Sequence, residues 1–198
     1  MRLTTTRQTQ TLAHVYVDGA SIGNPGPAGV GVVIRRSQAE GEEPQRTAAE
    51  AIGVATNNEA EYRALIRGLE ECRRLGLALV RIHMDSELVV KQMSGEYRVK
   101  DPKLLPLYMG ARELLESFRE ARICLIRREE NKLANNLAQN AARSEQARLA
   151  SAARPEHVPR QADNTACAPR DTQSPVADAP KPGLWRRGEV GDSCEGRR

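Results

Sequence analysis

Three acidic residues stand where their types and settings could do chemistry. Asp18 follows directly on the apolar, alternating run Leu12 to Val17, and Asp85 follows directly on Leu79 to Met84. In a sheet with parallel strands, ligands gather just beyond the strand C-termini, so these two carboxylates are expected to meet there. Glu61 lies in the first turn of a helical pattern and shares a face with Leu65, Leu69 and Cys72, which aims its carboxylate at the sheet rather than at water. Acids gathered at one sheet end repel one another unless a hard cation binds among them. An oxygen-only set without His or Cys at ligand spacing favours Mg²⁺ or Mn²⁺ over Zn²⁺. The chemistry implied is metal-assisted phosphoryl transfer. Taken singly, Asp18 could cap a turn, Asp85 could be a helix N-cap and Glu61 could favour a helix start; the combination is what points to a site.

The elements that must position these residues follow from periodicity. Ala13, Val15 and Val17 alternate with His14, Tyr16 and Asp18, the pattern of a half-buried strand. Ala28 to Arg36 and Arg46 to Gly53 read as two further strands joined by the polar turn Ser37 to Gln45, so a meander is expected. Asn57 to Leu75 reads as a helix closed by Gly76, Leu79 to Met84 as a strand, Ser86 to Ser94 and Pro102 to Phe118 as helices, Ala121 to Arg127 as a strand, and Asn131 to about Ala142 as a closing helix. The order βββαβααβα implies an α/β fold: a mixed five-stranded sheet, antiparallel at one edge and parallel toward the other, with helices on both faces.

A chain of 198 residues accommodates one ordinary domain plus an appendage. The expected division is a flexible segment at 1–11, a domain at 12–143 and a Pro-rich, disordered tail at 144–198, in which Trp185 within Leu184-Trp185-Arg186-Arg187 is a candidate weak docking motif. Aromatic residues make up only 3%, so the core must come from Val, Ile, Leu and Ala. No apolar run reaches the length of a membrane span, and the N-terminus lacks the apolar segment of a secretory signal, so the expected location is cytoplasmic, with no membrane partner. The net charge of +4 is compatible with a polyanionic partner. Cys72, Cys124, Cys167 and Cys194 form no CxxC pair and read as reduced thiols rather than as a zinc site or a disulfide framework.

Four segments carry a resemblance: Val15-Tyr16-Val17-Asp18-Gly19-Ala20; Gly23-Asn24-Pro25-Gly26-Pro27-Ala28-Gly29; Thr56-Asn57-Asn58-Glu59-Ala60-Glu61-Tyr62; and Met84-Asp85-Ser86. In order and spacing the chain from about Leu12 to Ala142 resembles the type 1 ribonuclease H family, which uses the same element order. The resemblance implies an endonuclease that cuts the RNA strand of RNA–DNA hybrids with two Mg²⁺ ions held by four acidic side chains, leaving 5′-phosphate and 3′-hydroxyl ends. By it, Asp18, Glu61 and Asp85 are the first three acids, with Asp18 bridging both ions. At the fourth the chain departs: the family's Ala-Asp-x-Leu-Ala is matched by Ala134-Asn135-Asn136-Leu137-Ala138, which puts Asn135 at the Asp position. An amide oxygen still ligates a cation but removes a charge, so weaker binding of one ion or a shift toward Mn²⁺ as substitute is implied.

The resemblance also assigns substrate contacts. Asn24 and Asn57 would meet hydroxyls or bases of the RNA strand, and Thr56 a phosphate of the DNA strand, since RNA is told from DNA through its 2′-hydroxyls. Lys91, Arg98, Lys100 and Lys103 lie where the family places basic contacts to the DNA strand, with Asp101 an unfavourable carboxylate among them. Arg127 or Arg128 would steer phosphate where some members carry a mobile His; His14 and His83 read as packed or surface residues. The expected protein is a monomeric ribonuclease H acting on RNA–DNA hybrids, with side activity on double-stranded RNA. The competing reading is a weakened or inactive hybrid-binding or double-stranded-RNA-binding protein, caused by Asn135. A related exonuclease fits less well, because the Thr-Asn-Asn-x-x-Glu segment is not expected there.

Overall fold

The alternation that predicts the first strand is realised residue by residue: Ala13, Val15 and Val17 are fully buried while His14 and Tyr16 are half-exposed. A computed structural model describes residues 12–38, 41–42 and 46–153. Strand β1 (Leu12–Ser21) pairs antiparallel with β2 (Gly26–Gln38), and β2 pairs antiparallel with β4 (Arg46–Ala55), completing the expected meander. On its other side β1 pairs in parallel with β5 (Leu79–Met84), which pairs in parallel with β6 (Glu120–Leu125). The long strands therefore run β4-β2-β1-β5-β6, a mixed sheet with β1 where antiparallel and parallel halves meet. Within the expected polar turn, Gly41–Glu42 forms a two-residue strand, β3, against Ser37 and Gln38. Backbone pairing with the long β2 adds this short strand where side-chain pattern gives no strand signal.

Helix α1 (Asn57–Arg74) packs Tyr62, Leu65, Leu69 and Cys72 onto Val15, Val17, Val30 and Val32. Helices α2 (Glu87–Met93) and α3 (Leu105–Glu116) extend the same core through Val89, Met93 and Ala111. Helix α4 (Lys132–Ala152) covers the opposite face over β2, β1 and β4. It runs past the expected boundary at 143: Ser144 to Ala152 is rich in Ala, Arg, Gln and Leu, which favour helix, the next Pro is Pro155, and Glu145 pairs with Arg148 at 2.6 Å. The domain's last helix thus takes in the start of what composition alone assigns to the tail. The expected segment 1–11, the Pro-rich stretch from 154 with Trp185, and Cys167 and Cys194 lie outside the described residues. Cys72 and Cys124 are free thiols. Among the described residues, no helix is long and apolar enough to cross a membrane.

Candidate active site

The site is assembled at the C-terminal ends of β1 and β5. These strands are parallel with Tyr16 opposite His83, so Asp18 and Asp85, each two residues further on, come level with one another. Asp18 is 3% exposed. The residue after it must be glycine: a Cβ at Gly19 would lie 2.2 Å from the backbone carbon of Ala60, so only glycine lets the first turn of α1 rest directly on β1. That contact delivers Glu61, whose Oε2 accepts the Gly19 N–H at 3.3 Å. The start of α1 is fixed from both sides. Thr56 Oγ1 accepts from the Glu59 N–H at 3.3 Å while the Glu59 carboxylate accepts from the Thr56 N–H at 2.7 Å, a reciprocal capping box, and Asn24 Oδ1 accepts from the Asn57 N–H at 3.1 Å.

Helix α4 closes the site from the other face of the sheet. Gly31, the residue paired with Asp18, makes room for it: a Cβ there would lie 2.2 Å from the carbonyl oxygen of Ala134. Asn135 on that helix is 7% exposed, and its Oδ1 accepts from Gln139 Nε2 at 2.6 Å. One turn earlier, the Asn131 Nδ2 donates to the Val17 carbonyl at 2.9 Å and to Asp85 Oδ1 at 2.6 Å. Between these elements lies a cleft of about 270 Å³, bordered by Asp18, Glu61, Asn135, Arg128, Gln139 and Arg143.

The electrostatics are those of crowded, buried carboxylates. Burial first, then the charge of Asp85 and a hydrogen bond with it, push Asp18 up to about 8, against the opposing pull of Arg128. Glu61 is held well above the ordinary carboxylate range by burial, then by Asp18 and Asp85; the Gly19 N–H and Arg128 act the other way. Groups so arranged accept a proton or a cation to relieve their repulsion. The donors present are carboxylate and amide oxygens, the set preferred by Mg²⁺ and Mn²⁺. Among the described residues no three His, Cys, Asp or Glu side chains close around one point. An open arrangement suits Mg²⁺, which retains water and takes phosphate oxygens alongside one or two carboxylates.

Of the residues singled out in the sequence, the structure brings together Asp18, Glu61, Asp85, Asn135 and Arg128, and sets Asn24 and Asn57 at the start of α1 beside them. Thr56 is adjacent, with its hydroxyl engaged by Glu59 at 2.8 Å. Lys100 stands apart, exposed between α2 and α3; there Lys91 is paired with Glu87 at 2.7 Å and Asp101 accepts from the Lys103 N–H at 2.9 Å, so part of this basic stretch serves its own local structure. Arg127 is tied to Glu130 at 3.9 Å, and of these two neighbouring arginines it is Arg128 that borders the cleft. Glu130 accepts from the Arg127 N–H at 2.9 Å and does not replace the missing acid. His14 and His83 are hydrogen-bonded to each other at 3.0 Å, and His83 stacks on Tyr16, as packed residues. Sequence reasoning missed Asn131, Gln139 and Arg143. The last two follow Asn135 by one and two helical turns, so helical spacing could have found them; nothing local marks Asn131.

The Reverse transcriptase-like family matches residues 16–141. A bifunctional protein of Mycobacterium tuberculosis is 45% identical over 127 residues, covering 64% of this chain and 34% of that protein. Ribonuclease HI of Halobacterium salinarum is 42% identical over 132 residues, covering 65% of this chain and 63% of that protein. The chain thus spans about a third to under two thirds of these relatives' length. Among solved structures, the N-terminal RNase H domain of the Mycobacterium tuberculosis protein superposes with a TM-score of 0.65 at 40% identity, covering 70% of this chain and 99% of that one. LC11-RNase H1 in complex with an RNA/DNA hybrid superposes with a TM-score of 0.59 at 38% identity, covering 67% and 97%.

Proposed function

Because the chain belongs to the Reverse transcriptase-like family and, within it, to the type 1 ribonucleases H, we propose that it is an endoribonuclease that hydrolyses the RNA strand of RNA–DNA hybrids. One observation carries the reading: Asp18, Glu61 and Asp85 come from three separate elements to one sheet end, with Asp18 and Glu61 buried deeply enough that they are driven toward protonation unless a cation joins them. Asp18, Glu61, Asp85 and the Asn135 amide would hold two Mg²⁺ ions. Bound there, the ions supply the Lewis acidity that activates water and stabilises the leaving 3′-oxygen, consistent with 5′-phosphate and 3′-hydroxyl products. The chain's residues do the rest by position. Gly19 and Gly31 let α1 and α4 approach β1, Arg128 offers a positive group to phosphate at the edge of the cleft, and Asn24 and Asn57 present amides for the RNA strand.

The net charge of +4 supports a polyanionic substrate. We read the hybrid as the main substrate, double-stranded RNA as a lesser one, Lys100 as a peripheral DNA-strand contact, and the protein as a monomer acting in the cytoplasm with Mg²⁺ or, in its place, Mn²⁺. Asn135 favours a second reading: its Oδ1 is engaged by Gln139, so its contribution to ion binding is reduced and a weakened nuclease with intact hybrid binding results.

The deciding experiment is cleavage of an end-labelled hybrid in Mg²⁺ and separately in Mn²⁺. Internal cuts by the wild type, lost in Asp18→Asn, are expected. Asn135→Asp is expected to raise the rate and to narrow the difference between the two metals. A wild type silent in both metals that still binds the hybrid supports the second reading, and terminal products only would overturn the endonuclease assignment.

A further inference from the structure

Asn131 precedes α4 and is 1% exposed. Its side chain is not used as a helix cap, the common role of Asn at such a place. Instead both Nδ2 hydrogens leave the helix. One goes to the Val17 carbonyl at 2.9 Å and the other to Asp85 Oδ1 at 2.6 Å, a short, charge-assisted bond. The two acceptors fix the orientation of the amide, because the flipped form would set its oxygen against a carbonyl and a carboxylate. Among the described residues its Oδ1 is then buried with no hydrogen-bond partner, an unfavourable arrangement that an alanine or leucine would avoid. A group retained at that cost has its value in what the other end of the amide holds.

Resting on the nuclease reading above, we propose that Asn131 is a positioning residue for the reaction: it locks the Asp85 carboxylate by one oxygen and fastens it to the end of β1 that carries Asp18. The amide spans β1, β5 and the start of α4, so one side chain sets the relation between the strands that deliver the two aspartates. With one Asp85 oxygen held, the carboxylate is kept from rotating toward solvent, and ligand gathering requires less ordering. Loss of such an outer partner of a metal-ligating group typically costs about 10–100-fold in metal affinity or activity.

The test uses the full chain and Mn²⁺ alone as probe. Isothermal calorimetry is run on wild type, Asn131→Ala, Asn131→Ser and Asp18→Asn, followed by steady-state cleavage of a hybrid well below each variant's melting temperature. Asn131→Ala is expected to weaken Mn²⁺ binding by about 10–100-fold and to lower kcat by a similar factor, with the KM for hybrid unchanged within about twofold. Asn131→Ser, which keeps one donor, should fall between, and it carries the test if the alanine variant does not fold. Both variants folded, with Mn²⁺ affinity and kcat within about twofold of wild type, would overturn the proposal while the nuclease reading stood on the Asp18→Asn control. A wild type that neither binds Mn²⁺ nor cuts would overturn both.

Discussion

Helices α1 and α4 bring side chains to the same end of the sheet from opposite faces, but they are built of different material. On the α1 side the contact is a layer of large side chains, Tyr62, Leu65 and Leu69 against Val15, Val17 and Val32, all fully or almost fully buried. On the α4 side the inward residues are Ala134, Ala138, Ala141 and Ala142, lying nearly backbone to backbone on β2. A thick apolar layer removes much surface from water and contributes most of the stability. A thin one contributes little and fixes a distance closely, since no side chain can yield. The α1 face therefore carries the fold and the α4 face carries the register of the site.

The largest break in that comparison comes from the thick layer. Leu65→Ala leaves a cavity between α1 and the sheet and is expected to cost about 2–5 kcal/mol, seen as a fall of roughly 2–4 °C in melting temperature per kcal/mol for a domain of this size. Hybrid cleavage measured well below melting should survive. Loss of cleavage in a folded Leu65→Ala protein would show that the core layer also tunes the site.

The converse test is Gly31→Ala. Its Cβ would sit 2.2 Å from the Ala134 carbonyl oxygen, which is backbone and cannot rotate away, so α4 must shift. The expected cost is about 1–3 kcal/mol, smaller than for Leu65→Ala, yet cleavage should fall further than in that variant because Asn135 and Asn131 move with the helix. Equal or better cleavage than Leu65→Ala at matched stability would refute the division of labour.

The same contrast explains what could be read from the sequence. The α1 side was legible because large apolar residues at helical spacing announce both the helix and its inward face, and Glu61 falls on that face. Asp18 and Asp85 were legible because each follows directly on an apolar strand pattern, although β1 itself runs on to Ser21. The extension of α4 to Ala152 was not, since alanines and charged residues mark a thin contact no more clearly than they mark an exposed segment. Asn131 was illegible for a different reason: its partners are Val17 and Asp85, far away in sequence, and only the meeting of β1, β5 and α4 gives its amide anything to hold.

The smallest expected effect is a pH dependence, and it follows from the charged half of the site. Asp18, ordinarily near 3.8, is raised to about 8 in the folded chain by burial and then by Asp85. A folded group that holds its proton more tightly than the unfolded one stabilises the fold fully below the unfolded value, and that stabilisation is lost as pH rises toward the folded value. Glu61 shifts in the same direction. Glu59, Glu71 and Glu145 are lowered, chiefly by hydrogen bonds from Thr56, Arg74 and Arg148, and their opposite contribution falls away only in acid. Between about pH 5.5 and 8.5, the melting temperature of chelator-treated protein should therefore decline, with a shallower slope in Asp18→Asn and a steeper one in Asn135→Asp, which adds a carboxylate beside the others. Mg²⁺ should restore more stability at the alkaline end, where it no longer competes with protons. A melting temperature that rises over this range and ignores Asp18→Asn would mean that the carboxylates at the sheet end are not crowded enough to call for a cation.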